Sequence, residues 1–148
     1  IKAAQYVRLK AITDPRWVEA MVAQIKNQKY FRWHDAGDIQ SEEHLLKIFE
    51  VCKRTPKTKH WIPTREAQFL KLVSPEEVPN NLIIRMSSHM IDQGPVSFWP
   101  WTSTVISKDQ PMFGATSKLC PAPTQGGKCG SCRTCWDRSI NNVAYAKH

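Results

Sequence analysis

Asn81-Leu82-Ile83-Ile84-Arg85-Met86 is the stretch on which the fold turns. A short, nearly unbroken apolar run set off by a Pro-rich loop is the pattern of a strand buried on both faces, as in a parallel sheet. Working toward the N-terminus, His60-Trp61-Ile62-Pro63 and Tyr30-Phe31-Arg32-Trp33-His34 are two more short extended runs. Between them Ser41 is placed to cap a helix, with Glu42 and Glu43 in the first turn where the helix dipole favours negative charge. Leu45, Ile48, Phe49 and Cys52 then share one helical face, which makes Cys52 a core residue before it is a ligand or a reactive thiol. Asp14-Pro15 opens an earlier helix bearing Trp17, Val18, Met21, Val22 and Ile25, and Thr64 is positioned to cap a later one bearing Phe69, Leu70 and Leu72. Toward the C-terminus, Val96-Ser97-Phe98-Trp99 and Thr102 to Ile106 read as extended, separated by Pro100. Strand, helix, strand, helix, strand in that order predicts an α/β domain, either a partial parallel barrel or an open parallel sheet with flanking helices.

The chain of 148 residues has the length of one domain, expected over residues 1–110. From about Pro111 the composition turns to Gly, Pro, Ser, Thr, Lys and Cys. Residues 111–148 therefore read as a cysteine-rich tail packed on that domain, with too few aliphatic side chains to hold itself. Metal ligation is the expected restraint. Lys and Arg number 21 against 13 Asp and Glu, a net charge of +8, which favours anionic partners such as nucleic acid and bears on association, not on fold. A solvated basic surface explains the same excess. No apolar run is long enough to span a bilayer, so no membrane partner is expected. The chain opens on Ile1 and not Met, without the pattern of a secretion signal, so the expectation is a protein that is not secreted.

Four of the five cysteines, Cys120, Cys129, Cys132 and Cys135, fall within sixteen consecutive positions. Two residues between successive cysteines let thiolates converge, and Gly126, Gly127 and Gly130 permit the turns. Overlapping CxxC steps with a fourth cysteine resemble the spacing that holds a four-iron (4Fe-4S) cluster. Four thiolates also satisfy tetrahedral Zn2+, and disulfides or free thiols are further options. His34, Asp35 and Asp38 sit where a parallel sheet presents ligand-binding loops, and a carboxylate there can accept from an ammonium or a ribose. An Asp-Gly turn bonded to its own backbone is the plainer alternative. Arg85, Ser87, Ser88 and His89 either bind an anion or cap a loop. A zinc triad of His34, His60 and His89 is a further option, though no spacing constrains it. Trp99-Pro100-Trp101 offers a stacking platform for bases or, more commonly, an aromatic packing pair.

The segment from Phe31 to Asp38 and the tail from Cys120-Pro121 through Cys135-Trp136 resemble a family of bacteriophage proteins, gene product 88. The likeness extends over most of positions 14–138. The family's pattern is similar to that of radical S-adenosylmethionine barrels, and this resemblance implies that the Gly37-Asp38 turn stands near the methionine amino group. It also implies further cysteines upstream of the first helix, whereas none precedes Cys52 here. The expected protein is thus a phage-encoded iron–sulfur protein of the host cytoplasm, with S-adenosylmethionine-dependent modification of a nucleoside or nucleic acid as its reaction. His34, Asp35, Asp38 and Arg85 line the expected pocket. The alternative is a zinc-ribbon module that binds nucleic acid or a host protein and catalyses nothing.

Overall fold

The computed structural model describes residues 2–34, 37–107, 113–114 and 116–147. In chain order the elements are α1 (Lys2–Ile12), α2 (Trp17–Ile25), β1 (Tyr30–Arg32), α3 (Glu42–Arg54), β2 (Lys59–Thr64), α4 (Ala67–Leu70), β3 (Leu82–Ile91), β4 (Thr102–Ile106), β5 (Ser117–Leu119) and β6 (Asn142–Ala146). The six strands form one open, curled sheet in the order β1-β2-β3-β4-β6-β5, and every neighbouring pair is parallel. The α/β architecture expected from the strand–helix alternation, a partial parallel barrel or an open parallel sheet, is present as an open sheet curled into a half-barrel.

Alternation of side chains along β2 and β3 explains why their sequences are apolar almost throughout. Ile62, Leu82, Ile84 and Met86 pack with Ile25, Leu45, Ile48, Phe49 and Cys52 beneath α2 and α3. Trp61 and Ile83 belong to a second cluster, with Val143 and Cys135, on the helix-free face. Ser41 caps α3 as the sequence indicates, its hydroxyl accepting from the His44 N–H at 3.0 Å.

Several local expectations change. Asp14 does not begin a helix; its carboxylate accepts from the Arg16 N–H and pairs with the Arg16 guanidinium, and α2 starts at Trp17. Thr64 does not cap α4, because its hydroxyl is drawn to Asp38 and to the Glu66 N–H. Val96–Trp99 pairs in no strand; it is a bent segment from which Trp99 Nε1 donates to the Ile84 carbonyl at 2.8 Å. Trp99 and Trp101 meet edge to face at 6.1 Å with Trp99 only 4% exposed, so this pair packs and presents no open platform. The tail also differs from a coreless appendage. It contributes β5 and β6, and β6 lies between β4 and β5 with Val143 and Ala144 fully buried. Part of the restraint assigned to metal is thus supplied by strand pairing. No helix among the described residues is long and apolar enough to cross a membrane.

Candidate metal centre

Two places carry the predicted site residues: the C-terminal end of β1, and the helix-free face covered by the cysteine-rich segment.

At the end of β1, His34 has a positive φ of 56°, uncommon for a residue with a β-carbon, and its Nδ1 is buried without a hydrogen-bond partner among the described residues. Burial lowers its pKa, with Asp38 acting in the opposite sense. The ring lies 5.5 Å from that of His44, a core-facing residue of α3 whose pKa is held down to about 4 by burial, then by His34 and Lys47. Asp38 is a strut. Its carboxylate accepts from the Ile39 N–H at 2.7 Å, the Thr64 hydroxyl and the Arg65 N–H at 2.8 Å, tying the turn after β1 to the end of β2. Asp35 lies outside the described residues.

Arg85 is not brought to this pocket. It projects from the opposite face of β3, fully buried, and donates to the carbonyls of Cys135 (3.0 Å), Ile140 (3.0 Å), Asp137 (2.9 Å) and Thr134 (3.1 Å), with longer contacts to Thr102 and Asn141 at 3.4 Å. A guanidinium has donors in a planar fork and no acceptor, so a cage of carbonyls satisfies it without a counter-ion. Arg138 does the converse, reaching from the tail to the carbonyls of Pro79 and Leu82, each at 2.8 Å. The signal for this was present in the sequence: an arginine inside an apolar strand needs partners in the interior.

The zinc triad is not formed either. Trp33 Nε1 donates to His60 Nδ1 at 3.2 Å, which puts the ring proton on Nε2, where it is directed at the Thr55 hydroxyl 2.8 Å away. Neither nitrogen is left for a metal. His89 is exposed, and the Ser87 and Ser88 hydroxyls are bonded to Ser103 and to the Gly94 carbonyl.

The arginine cage anchors Cys135, and neighbouring strands and turns place the other cysteines. Cys120 follows β5, its N–H continuing the ladder to the Ala144 carbonyl at 2.8 Å. A short turn over Ala122–Gln125 leads to Cys129, and the Cys132 N–H closes back on the Cys129 carbonyl at 3.0 Å. Gly130 is required here. Its φ is +56°, and a β-carbon would stand 3.1 Å from Gln125 Oε1. Cys135, within the turn Thr134–Trp136, is buried, and its sulfur is 3.5 Å from the Tyr145 hydroxyl. Burial pushes its thiol pKa up, the Tyr145 hydrogen bond and Arg85 pull it down, and the charges of Cys120 and Cys129 push it up again. Cys120 packs against the same cluster as Cys135. Cys132 turns to the Thr134 hydroxyl at 3.2 Å. Among the described residues no three His, Cys, Asp or Glu side chains are gathered closely enough to hold one metal ion. Trp61, 6% exposed and in that cluster, has an indole N–H without an acceptor among the described residues. The sequence alone flagged neither this orphan donor nor Tyr145.

Comparison with known proteins finds one family, described as gene product 88, matching residues 1–138. No curated protein and no solved structure matches the chain.

Proposed function

Taking as premise that the chain belongs to the gene product 88 family of bacteriophage proteins, we propose that its helix-free face seats an iron–sulfur cluster held by Cys120, Cys129, Cys132 and Cys135, in a protein that modifies a nucleoside or nucleic acid in the host cytoplasm. One observation carries this reading: Cys135 shares a buried cluster with Trp61, against which Cys120 packs, and the Trp61 N–H has no acceptor among the described residues. An orphaned interior donor costs about 1–3 kcal/mol, and a sulfur ligand is an acceptor that would relieve it.

The donor set fits the group. Thiolates are its standard ligands, and Arg85, beside Cys135, offsets charge that deprotonation would bury. The spacing favours a cluster over zinc. Sulfurs at about 2.3 Å from one tetrahedral ion lie close together, whereas the irons of a cubane occupy separate corners and hold their thiolates further apart. Cys129 is exposed and Cys132 is turned aside, so loading requires the Gly-flanked loop to close over the face. Ligated by four cysteines, such a cluster supplies electron transfer. The co-substrate in this reading is S-adenosylmethionine, at the C-terminal ends of β1 and β2, supported by the open Nδ1 of His34 and by the general placement of ligands at that end of parallel sheets.

Anaerobic purification followed by iron, sulfide and zinc analysis per chain and visible absorbance tests the cluster. Iron with matching sulfide, lost in Cys135→Ser, is expected. A folded, colourless, metal-free protein with all four tail thiols reactive refutes it, and zinc alone replaces it with the ribbon. Calorimetry with S-adenosylmethionine tests the co-substrate separately, and no heat in the cluster-loaded protein removes it.

A further inference from the structure

The charge of this molecule is segregated. Residues 24–34, 53–65 and 116–136 carry lysines and arginines and no Asp or Glu at all. The fold brings these three segments together: Tyr30 pairs with Lys59 and Arg32 with Trp61 in the β1–β2 ladder, and Arg133 of the cysteine-rich loop lies over the Tyr30 ring at 4.9 Å. Arg32 sits likewise over Trp61 at 4.9 Å, and Lys29 approaches Tyr30 at 5.9 Å. Lys29, Arg32, Lys59 and Arg133 are all exposed. Acidic side chains gather elsewhere, Glu42, Glu43 and Glu50 lining a groove between α2 and α3. Asp137, whose carboxylate feels the charge of Lys59, is engaged by the Ser139 N–H and hydroxyl.

We infer that Lys29, Arg32, Lys59 and Arg133 form a docking surface for the backbone of a single-stranded nucleic acid. Four cations grouped about the paired β1 and β2 give the phosphate attraction. The two arginines give the preference for a single strand, because an exposed guanidinium supported on a ring is a plane on which an unstacked base can lie, and a duplex has no such base to offer. Arg133 is held for this by bonds from Nη1 to the carbonyls of Gly130 (2.8 Å) and Cys132 (2.7 Å). The inference deepens the proposed reaction by naming the polymer and where it lies, and it does not require the cluster.

The test is fluorescence anisotropy with a dye-labelled mixed-sequence DNA strand and its duplex, on the intact chain with its metal content measured in parallel. Four phosphate contacts at about 0.7 released counterions each give a log–log salt slope near −3, or about fifty-fold weaker binding from 50 to 200 mM salt. Lys29→Glu/Lys59→Glu should weaken binding at least tenfold and flatten the slope by about 1.4. Arg32→Gln/Arg133→Gln should erase the preference for single strand over duplex. Lys2→Glu/Lys10→Glu, an equal charge change on α1, should leave binding nearly unchanged. Equal losses in the β-edge and α1 variants, duplex bound as tightly as single strand, or no binding at low salt would each overturn the assignment. None of these results alters the iron and sulfide count, so the two readings fail separately.

Discussion

Replacing Arg85 by Met keeps most of the apolar stem of the side chain and removes every donor of the guanidinium. Four carbonyls, those of Thr134, Cys135, Asp137 and Ile140, lose partners now at 2.9–3.1 Å, in a place where Arg85 is fully buried and water has little access. At about 1–1.5 kcal/mol per lost bond the cost is about 4–6 kcal/mol. That is a large share of the roughly 5–15 kcal/mol that holds a domain folded. Arg85→Lys retains charge and some donors, so about half the loss is expected. The assay is urea unfolding paired with hydrogen exchange. Arg85→Met should lower the midpoint by about 3–4 M for a slope near 1.5 kcal/mol/M, and exchange should accelerate first across residues 134–146. A stability within about 1 kcal/mol of the parent, with the tail amides equally protected, would show that strand pairing alone holds this segment.

Acid should destabilise the protein through its buried histidines. His60 and His44 are held to pKa values of about 4, His60 by burial alone and His44 by burial first, against about 6.5 when unfolded. The unfolded chain therefore takes up protons before the folded one does. This contribution to stability is complete above about pH 6.5 and is lost as pH falls toward 4, by about 2 kcal/mol per histidine at pH 5. Urea midpoints at pH 7.5 and pH 5 check it, and a flat profile would contradict the buried, neutral assignment. Asp38→Ala strips acceptors from the Ile39 and Arg65 N–H groups and the Thr64 hydroxyl, so a loss of about 1–3 kcal/mol is expected, read as a lower melting temperature. In metal-free protein, alkylation followed by mass spectrometry should label exposed Cys129 first and Cys52 last, since Cys52 is fully buried and burial pushes its thiol pKa up. Labelling of Cys52 at the rate of Cys129 would remove it from the core.

The elements that were legible in the sequence are those whose pattern is local. Ser41, followed by two glutamates and an apolar face ending at Cys52, specifies α3 within its own length, and Cys52 is in the core as that spacing indicates. β1, β2 and β3 lie where short apolar or aromatic runs stand between turns, and β4 where β-branched Thr102, Thr104, Val105 and Ile106 follow Pro100. β5 was hidden because Ser117–Leu119 is three residues with one aliphatic side chain; β6 is obscured, although Val143-Ala144-Tyr145-Ala146 is an apolar run, because it lies in a tail whose overall composition is poor in aliphatic residues. The cysteine spacing marked the candidate site, and its surroundings were beyond the reach of spacing.

The sequence by itself determined which residues alternate, which turn, and which thiols are near one another along the chain, because periodicity and spacing are short-range properties of the backbone. Tertiary structure decided what Arg85, His60 and Asp38 do. The carbonyls that Arg85 serves on the cysteine-rich segment lie about fifty residues away in the chain, Trp33 commits one nitrogen of His60 from 27 residues away, and Asp38 is spent on the end of β2. A buried polar group takes its role from whichever partner the fold places opposite it, and that identity is settled only when distant segments close on one another.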